Sequence, residues 1–465
     1  MKKLKVIMFS LAAFVLLAAA PALALNADFH VKQAPNNNGD LLFFPFYGAM
    51  DTGYSTKLTV VNTSNEYSTV AKLVVRSRDW SEELIDFLIY LSPNDMWTGE
   101  LVWVPNPPSG RSQVTVISTD DSVITELAAP LLPVTQLAPM FASPANPFEF
   151  RLFPVTCPGD TERIGYVEVI ASRAGNCATN SLLCKDADGT VPKPRIYKWY
   201  HGPDSANPFG VAPDPFIEGP ENILAGWMEF NRPMNAMTAT MRAETFADWH
   251  NISALTVADV SGIESPSLNT IAELEAAMAK SDIAMPYINY PGTKAIHVLN
   301  FPTKLSTRNA TINADGTCNY NNGNDLSPYF YGFPRAEELF TTVYDMQENT
   351  VTTTGDPISG GDVDRRTIDR EVEYLATDKF DIPFEEGWVR YNFGRTGLIK
   401  DGLTLSQNLI AYLGTPVFPA ILQFNHGGLS LMKAAYDDGS VRIDGMNQYY
   451  YQYSDGRFTK EVILE

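Results

Sequence analysis

Between Val70 and Arg76 the chain alternates without a break, with Val70, Lys72, Val74 and Arg76 on one side and Ala71, Leu73 and Val75 on the other. A period of two marks a strand whose two faces meet different surroundings. Comparable short runs occupy 57–61, 84–91, 101–104 and 114–118. Between them stand Asn62-Thr63-Ser64-Asn65, Ser92-Pro93-Asn94-Asp95 and Asp120-Asp121. Such residues favour turns because they bond their own backbone or fix φ. The pattern predicts antiparallel strands in an immunoglobulin-like β-sandwich over residues 40–125, after a polar leader at 25–39. The segment Arg78-Asp79-Trp80-Ser81-Glu82-Glu83 falls between two of these strands and reads as a solvated surface connection. Trp80 is its one residue suited to contact, and folding back onto the sandwich is the favoured reading.

The rhythm then changes. Residues 126–153 form a connector broken by Pro130, Pro133, Pro139, Pro144 and Pro147. Strand-like pieces recur at longer intervals from there on, at 165–170, 225–230, 237–243, 295–301, 370–375, 387–393 and 417–424. One helix is predicted over 268–280, capped by Ser267, with Ile271, Leu274, Glu275 and Met278 at helical spacing. Residues 154–465 therefore read as a larger, mainly β domain with at least one helix. No fixed-period repeat occurs, which disfavours a propeller or a solenoid.

The N-terminus adds a destination. Lys2, Lys3 and Lys5 precede an apolar run over 6–20, and Ala22-Leu23-Ala24 supplies the small residues that a signal peptidase needs. A signal peptide over 1–24 is expected, placing the mature chain in the periplasm, at the cell surface or outside. No later run reaches the about 18 continuous apolar residues of a spanning helix. The formal net charge is −20, and cleavage removes three of the lysines. A phosphate backbone would repel such a chain, so nucleic acid is not an expected partner.

Four cysteines, Cys157, Cys177, Cys184 and Cys318, permit two disulfides in three connectivities. Cys177 and Cys184 are close enough to staple a local loop, which leaves Cys157 with Cys318. A zinc site lacks both the two-residue cysteine spacing and a nearby histidine.

Several landmarks recur in order along most of the chain: Thr59-Val-Val-Asn-Thr-Ser64, Asp86-Phe87 to Leu91-Ser-Pro93, Trp97, Arg163-Ile-Gly-Tyr-Val-Glu-Val-Ile170, Asn222-Ile-Leu-Ala-Gly-Trp227, Phe301-Pro-Thr-Lys304 and Gly414-Thr-Pro-Val417. On these the chain resembles a group of uncharacterised exported bacterial proteins. The resemblance implies export and a β-rich build, and it transfers no catalytic residue.

Local chemistry is sparse. A Gly-x-Ser-x-Gly elbow, a His-Glu-x-x-His pair and phosphate-cradling glycine loops are all missing from the sequence. Ser430-Leu-Met-Lys433 fits Ser-x-x-Lys spacing without its partner motifs. His30, His201, His250, His297 and His426 are scattered, and His297 reads as a core or strand-face residue. Calcium is the one cofactor with a local argument, because Asp186 with Asp188, and Asp362 with Asp364, place carboxylates two residues apart in glycine-containing loops. Ordinary Asp-Gly turns have the same appearance. Trp199 with Tyr200, and Tyr449 with Tyr451, are candidates for an aromatic contact surface. The sequence points to an exported, non-enzymatic protein with a structural, assembly or adhesion role, whose partners are other surface proteins or itself. The alternative is a carbohydrate-binding or carbohydrate-active protein.

Overall fold

A computed structural model describes residues 31–125 except 35, 52 and 80, 140–201 except 158 and 159, and 221–249 except 233–236; from 274 onward it describes a set of strands with adjoining turns. The expected signal peptide lies outside the described residues.

The chain is mainly β. Its first twelve strands are β1 (Lys32–Gln33), β2 (Leu41–Gly48), β3 (Ser55–Asn62), β4 (Ser68–Ser77), β5 (Glu83–Leu91), β6 (Met96–Trp103), β7 (Val114–Ser118), β8 (Phe148–Arg151), β9 (Ile164–Gly175), β10 (Leu224–Arg232), β11 (Met237–Arg242) and β12 (Glu244–Ala247). They form two six-stranded antiparallel sheets, ordered β1-β12-β2-β9-β4-β5 and β11-β10-β3-β6-β7-β8. Leu42, Phe44, Leu73, Val75, Phe87 and Val169 of the first sheet meet Leu58, Val60, Trp97, Val116 and Met228 of the second in one buried cluster. Trp97 is fully buried there, and a Cβ on Gly99 would overlap its ring, so glycine at 99 makes the space that the indole fills.

The sandwich is larger than the immunoglobulin-like unit expected over 40–125. Strand β9 lies between β2 and β4, pairing Leu41 and Lys72 alike with Ile170. Strands β10, β11 and β12 complete the sheets from beyond residue 220. Strand β8 arises inside the expected connector and forms one edge of the second sheet. Alternation says which residues face inward, but a strand's lateral neighbours are set by the whole chain.

Gly165 shows how tightly β9 is held. It stands beside a register shift between Phe44 and Tyr47, and a Cβ there would run into the Arg76 carbonyl and lie 2.8 Å from the Tyr47 ring. Gly165→Ala is expected to cost about 1–3 kcal/mol through overpacking against backbone. An unshifted urea midpoint would show that β9 can move aside.

The later strands continue the same body. Asp282–Ile288, Glu337–Asp345 and Glu386–Asn392 belong to one sheet; Thr293–Asn300, Val372–Ala376, Phe418–Asn425 and Gly428–Lys433 form another. Leu299 and Ile421 face a second core with Ile283, Met285, Val343 and Val389. Their strand neighbours Val298, Ala420 and Leu422 face the first core. The sheet is thus apolar on both faces and shared between the cores. Asn300 Nδ2 donates to the Pro45 carbonyl at 2.9 Å across the same junction.

Helix α1 (Lys193–His201) escapes a strand-oriented reading. Ile196, Trp199 and Tyr200 form a stripe at i, i+3 and i+4, and it packs on Val70, Leu88 and Tyr90 from the first sheet's outer side. The loop before it is stapled by Cys177–Cys184, as expected, and Cys157 also lies in a disulfide. Cys318 begins the strand Cys318–Tyr320, and its side chain is outside the described residues. Of the helix expected over 268–280, Leu274, Ala277 and Met278 are helical, most of the rest is outside the described residues, and Ala279–Lys280 is a strand.

Candidate binding face

The two sheets treat their outer faces differently. Every residue of β4 is buried, because α1 covers one part of that sheet and Trp249, Leu274, Met278 and Phe418 cover Leu41, Phe43 and Ile170 in another. Between these covers runs a buried strip of charge. Lys72 pairs with Asp86 at 2.7 Å, and Arg76 with Glu168 at 3.1 Å. Burial raises the Asp86 and Glu83 carboxyls above their ordinary range, with Lys72 and Arg76 opposing it.

In the second sheet β10 and β11 instead keep strict alternation, while Ser55 and Thr59 of β3 and Thr115 of β7 are buried on the outward side. Met237, Ala239 and Met241 of β11 are buried while Thr238, Thr240 and Arg242 are exposed. In β10, Leu224, Gly226, Met228 and Phe230 point inward and Ala225, Trp227, Glu229 and Asn231 point outward, half-buried. Directly paired residues of antiparallel strands share a face. One outward row therefore reads Arg242, Trp227, Thr59, Thr98, and the next reads Thr240, Glu229, Lys57, Glu100, Ile117, Glu149. Met96, 45% exposed, ends the face at one side, and Ser55 Oγ donates to Glu100 Oε1 at 2.6 Å. The outward charges are balanced: Lys57, Arg242 and Arg151 against Glu229, Glu100 and Glu149.

The residues singled out in the sequence fall elsewhere. Trp199 and Tyr200 are buried, contrary to the expectation of an aromatic contact surface, because the helical stripe turns them onto the sheet; Tyr200 Oη and Ser172 Oγ are 2.6 Å apart. Tyr449 and Tyr451 lie in the strand Gln448–Gln452, and their side chains are outside the described residues. Asp188 accepts from Thr190 N and Oγ1 at 3.0 and 2.8 Å, which holds its carboxyl below the ordinary range. Asp186 pairs with Arg195 at 2.7 Å. Asp362 and Asp364 lie outside the described residues, as does Trp80. Among the described residues no three His, Cys, Asp or Glu side chains gather in metal-binding geometry.

The turn around Trp80 is not the solvated connection expected. Asp79 and Ser81 are buried, and Arg78 forms an ion pair with Asp79. Asp160 receives Ser77 Oγ at 2.5 Å and Asp79 N at 2.8 Å, and burial still lifts its carboxyl to about 6. Glu82 accepts from Thr156 N and Cys157 N, each at 2.7 Å. These carboxylates act as caps for backbone that would otherwise lose hydrogen bonds on burial. The turn is charged because it is clamped inside the molecule, where Arg78 O accepts from Val372 N at 3.0 Å.

Two described histidines are likewise internal. His297 Nε2 lies 2.9 Å from the Pro286 carbonyl and so donates to it, while Nδ1 accepts from Tyr391 Oη at 2.6 Å. Burial moves His297 down to about 4, so it is a neutral core residue, in line with its sequence reading. His201 Nε2 lies 2.8 Å from Tyr90 Oη under α1. The open face itself was missed in the sequence, although the alternation of Trp227 with Gly226 and Met228 was a signal for it.

Comparison with protein-family models, with curated proteins and with solved structures gives no match. The resemblance to exported bacterial proteins therefore rests on its landmark residues alone. Among the described residues no helix is long and apolar enough to cross a membrane.

Proposed function

We propose that this is an exported, non-enzymatic assembly protein that associates with further copies of itself through the outer face of its second sheet. One observation carries the reading: the first sheet is covered on both sides, whereas the second leaves a broad face of balanced charge around Trp227. In a chain of net charge −20, copies repel each other over most orientations, and a locally neutral face is where two can meet. Trp227 beside Arg242, with Lys57, Glu229 and Thr240 around them, matches the aromatic and arginine anchors and polar rim of protein interfaces.

Native sizing across a concentration series is the direct test. The wild-type protein is expected to associate, and Trp227→Ala is expected to weaken association by about tenfold or more, the effect of a lost interface anchor. Trp227, in one outward row with Arg242 and Thr98, also favours a second reading, a glycan stacked on the indole. A monomer that binds a glycan, and loses the affinity with Trp227→Ala, would replace self-assembly by that reading. A monomer indifferent to glycans would sink both.

A further inference from the structure

Lys193 opens helix α1 and is 7% exposed. Its ammonium is in direct contact with Asp95 Oδ2, lies 3.0 Å from Ser122 Oγ and 3.7 Å from Asp121 Oδ1. Asp95 ends the turn between β5 and β6. Its Oδ2 accepts from Ser92 N and its Oδ1 from Met96 N, each at 2.9 Å. A buried amine and a partly buried carboxyl group thus meet directly, with the more exposed Asp121 carboxylate alongside.

We propose that Lys193 and Asp95 condense into an intramolecular isopeptide bond. Nζ attacks Cγ of the protonated Asp95 carboxyl, the Nζ–Cγ bond forms and the Cγ–Oδ2 bond breaks. Oδ2 leaves as water, carrying its own proton and one from Nζ. Amine and acid give amide and water, so no oxidant or activating group is required. Burial brings Lys193 down to about 7, leaving much of the amine neutral near neutral pH, the form in which Nζ attacks.

The hydrogen bonds also fit the product. The single N–H left on the amide nitrogen faces Ser122 Oγ, and the amide oxygen, formerly Oδ1, keeps the Met96 N–H. A buried ion pair is replaced by a neutral amide, which removes the desolvation cost of two charges, while the Ser92 N–H gives up Oδ2 as its acceptor. The bond would tie α1, the cover of the first sheet, to the turn joining the two sheets. Lys72 and Asp86 are a comparable buried pair, but Arg76, Glu83 and Glu168 surround them with further charge and favour the ionic form.

Intact mass of the reduced, full-length mature protein, with its N-terminus determined, tests the bond without any variant. The expected mass is one water below the sequence mass, with a branched peptide joining Lys193 to Asp95. Lys193→Arg and Asp95→Ala should each restore the full mass. A wild-type protein at full sequence mass overturns the proposal, as does a lost water mapped to Lys72 and Asp86 or to a cyclised aspartate.

Discussion

Replacing Lys72 by methionine is expected to lower the unfolding free energy by about 3–5 kcal/mol, the cost of leaving one member of a buried ion pair uncompensated. Lys72 is fully buried on the outward side of β4 and reaches Asp86 on β5 at 2.7 Å. Without its ammonium, Asp86, Glu83 and Glu168 would face Arg76 as the remaining cation of the strip. The double variant Lys72→Met, Asp86→Leu removes both charges and should recover most of the loss, because a well-packed apolar pair can replace a buried ionic one. Denaturant midpoints of the single and double variants give the result. A single variant costing under about 1 kcal/mol would mean that the strip behaves as a surface pair, screened by water.

That strip also shows where the sequence was legible. The alternation of Lys72 and Arg76 with Leu73 and Val75 separates the two faces of β4, but says nothing of what lies against the charged one. The structure covers that face with α1 and the segment around Trp249 and Leu274, elements far along the chain, so the charges became internal. The Arg78 to Glu83 turn misled for the same reason, since its neighbours Asp160, Cys157 and Val372 are remote in sequence. Trp199 and Tyr200 were read as contact aromatics, although Ile196 completes a helical stripe with them. What was local survived: the strand periods, the Cys177–Cys184 staple and the core position of His297. The candidate face needed register, because Trp227, Thr59 and Thr98 become neighbours only when β10, β3 and β6 are paired.

Stability is expected to fall as pH rises from about 4 to 7, and Asp40 is the largest single cause. Its carboxyl is buried at the start of β2, where burial raises it from 3.8 to about 7; the Asn222 N–H at 2.6 Å opposes the rise, and Asp248 and Glu221 add to it. Asp248 itself pairs with Lys32 at 2.9 Å. The folded state therefore holds a proton that the unfolded chain has released, so folding is favoured at low pH and loses that contribution as Asp40 ionises. Asp160, lifted to about 6, acts in the same direction over a narrower window. His297, brought down to about 4 from 6.5, acts oppositely between those values and offsets part of the fall, and Lys193, brought down to about 7 as the free amine, acts oppositely only above that pH. Asp40→Asn keeps an acceptor for Asn222 and removes the charge. It should stabilise the protein at pH 8 by roughly 2–4 kcal/mol, since moving a carboxyl's titration by one pH unit is worth about 1.4 kcal/mol, and it should flatten the slope below pH 7. Urea midpoints at pH 5 and pH 8 decide it: equal gains at both values would mean that Asp40 contributes through packing and not through its charge.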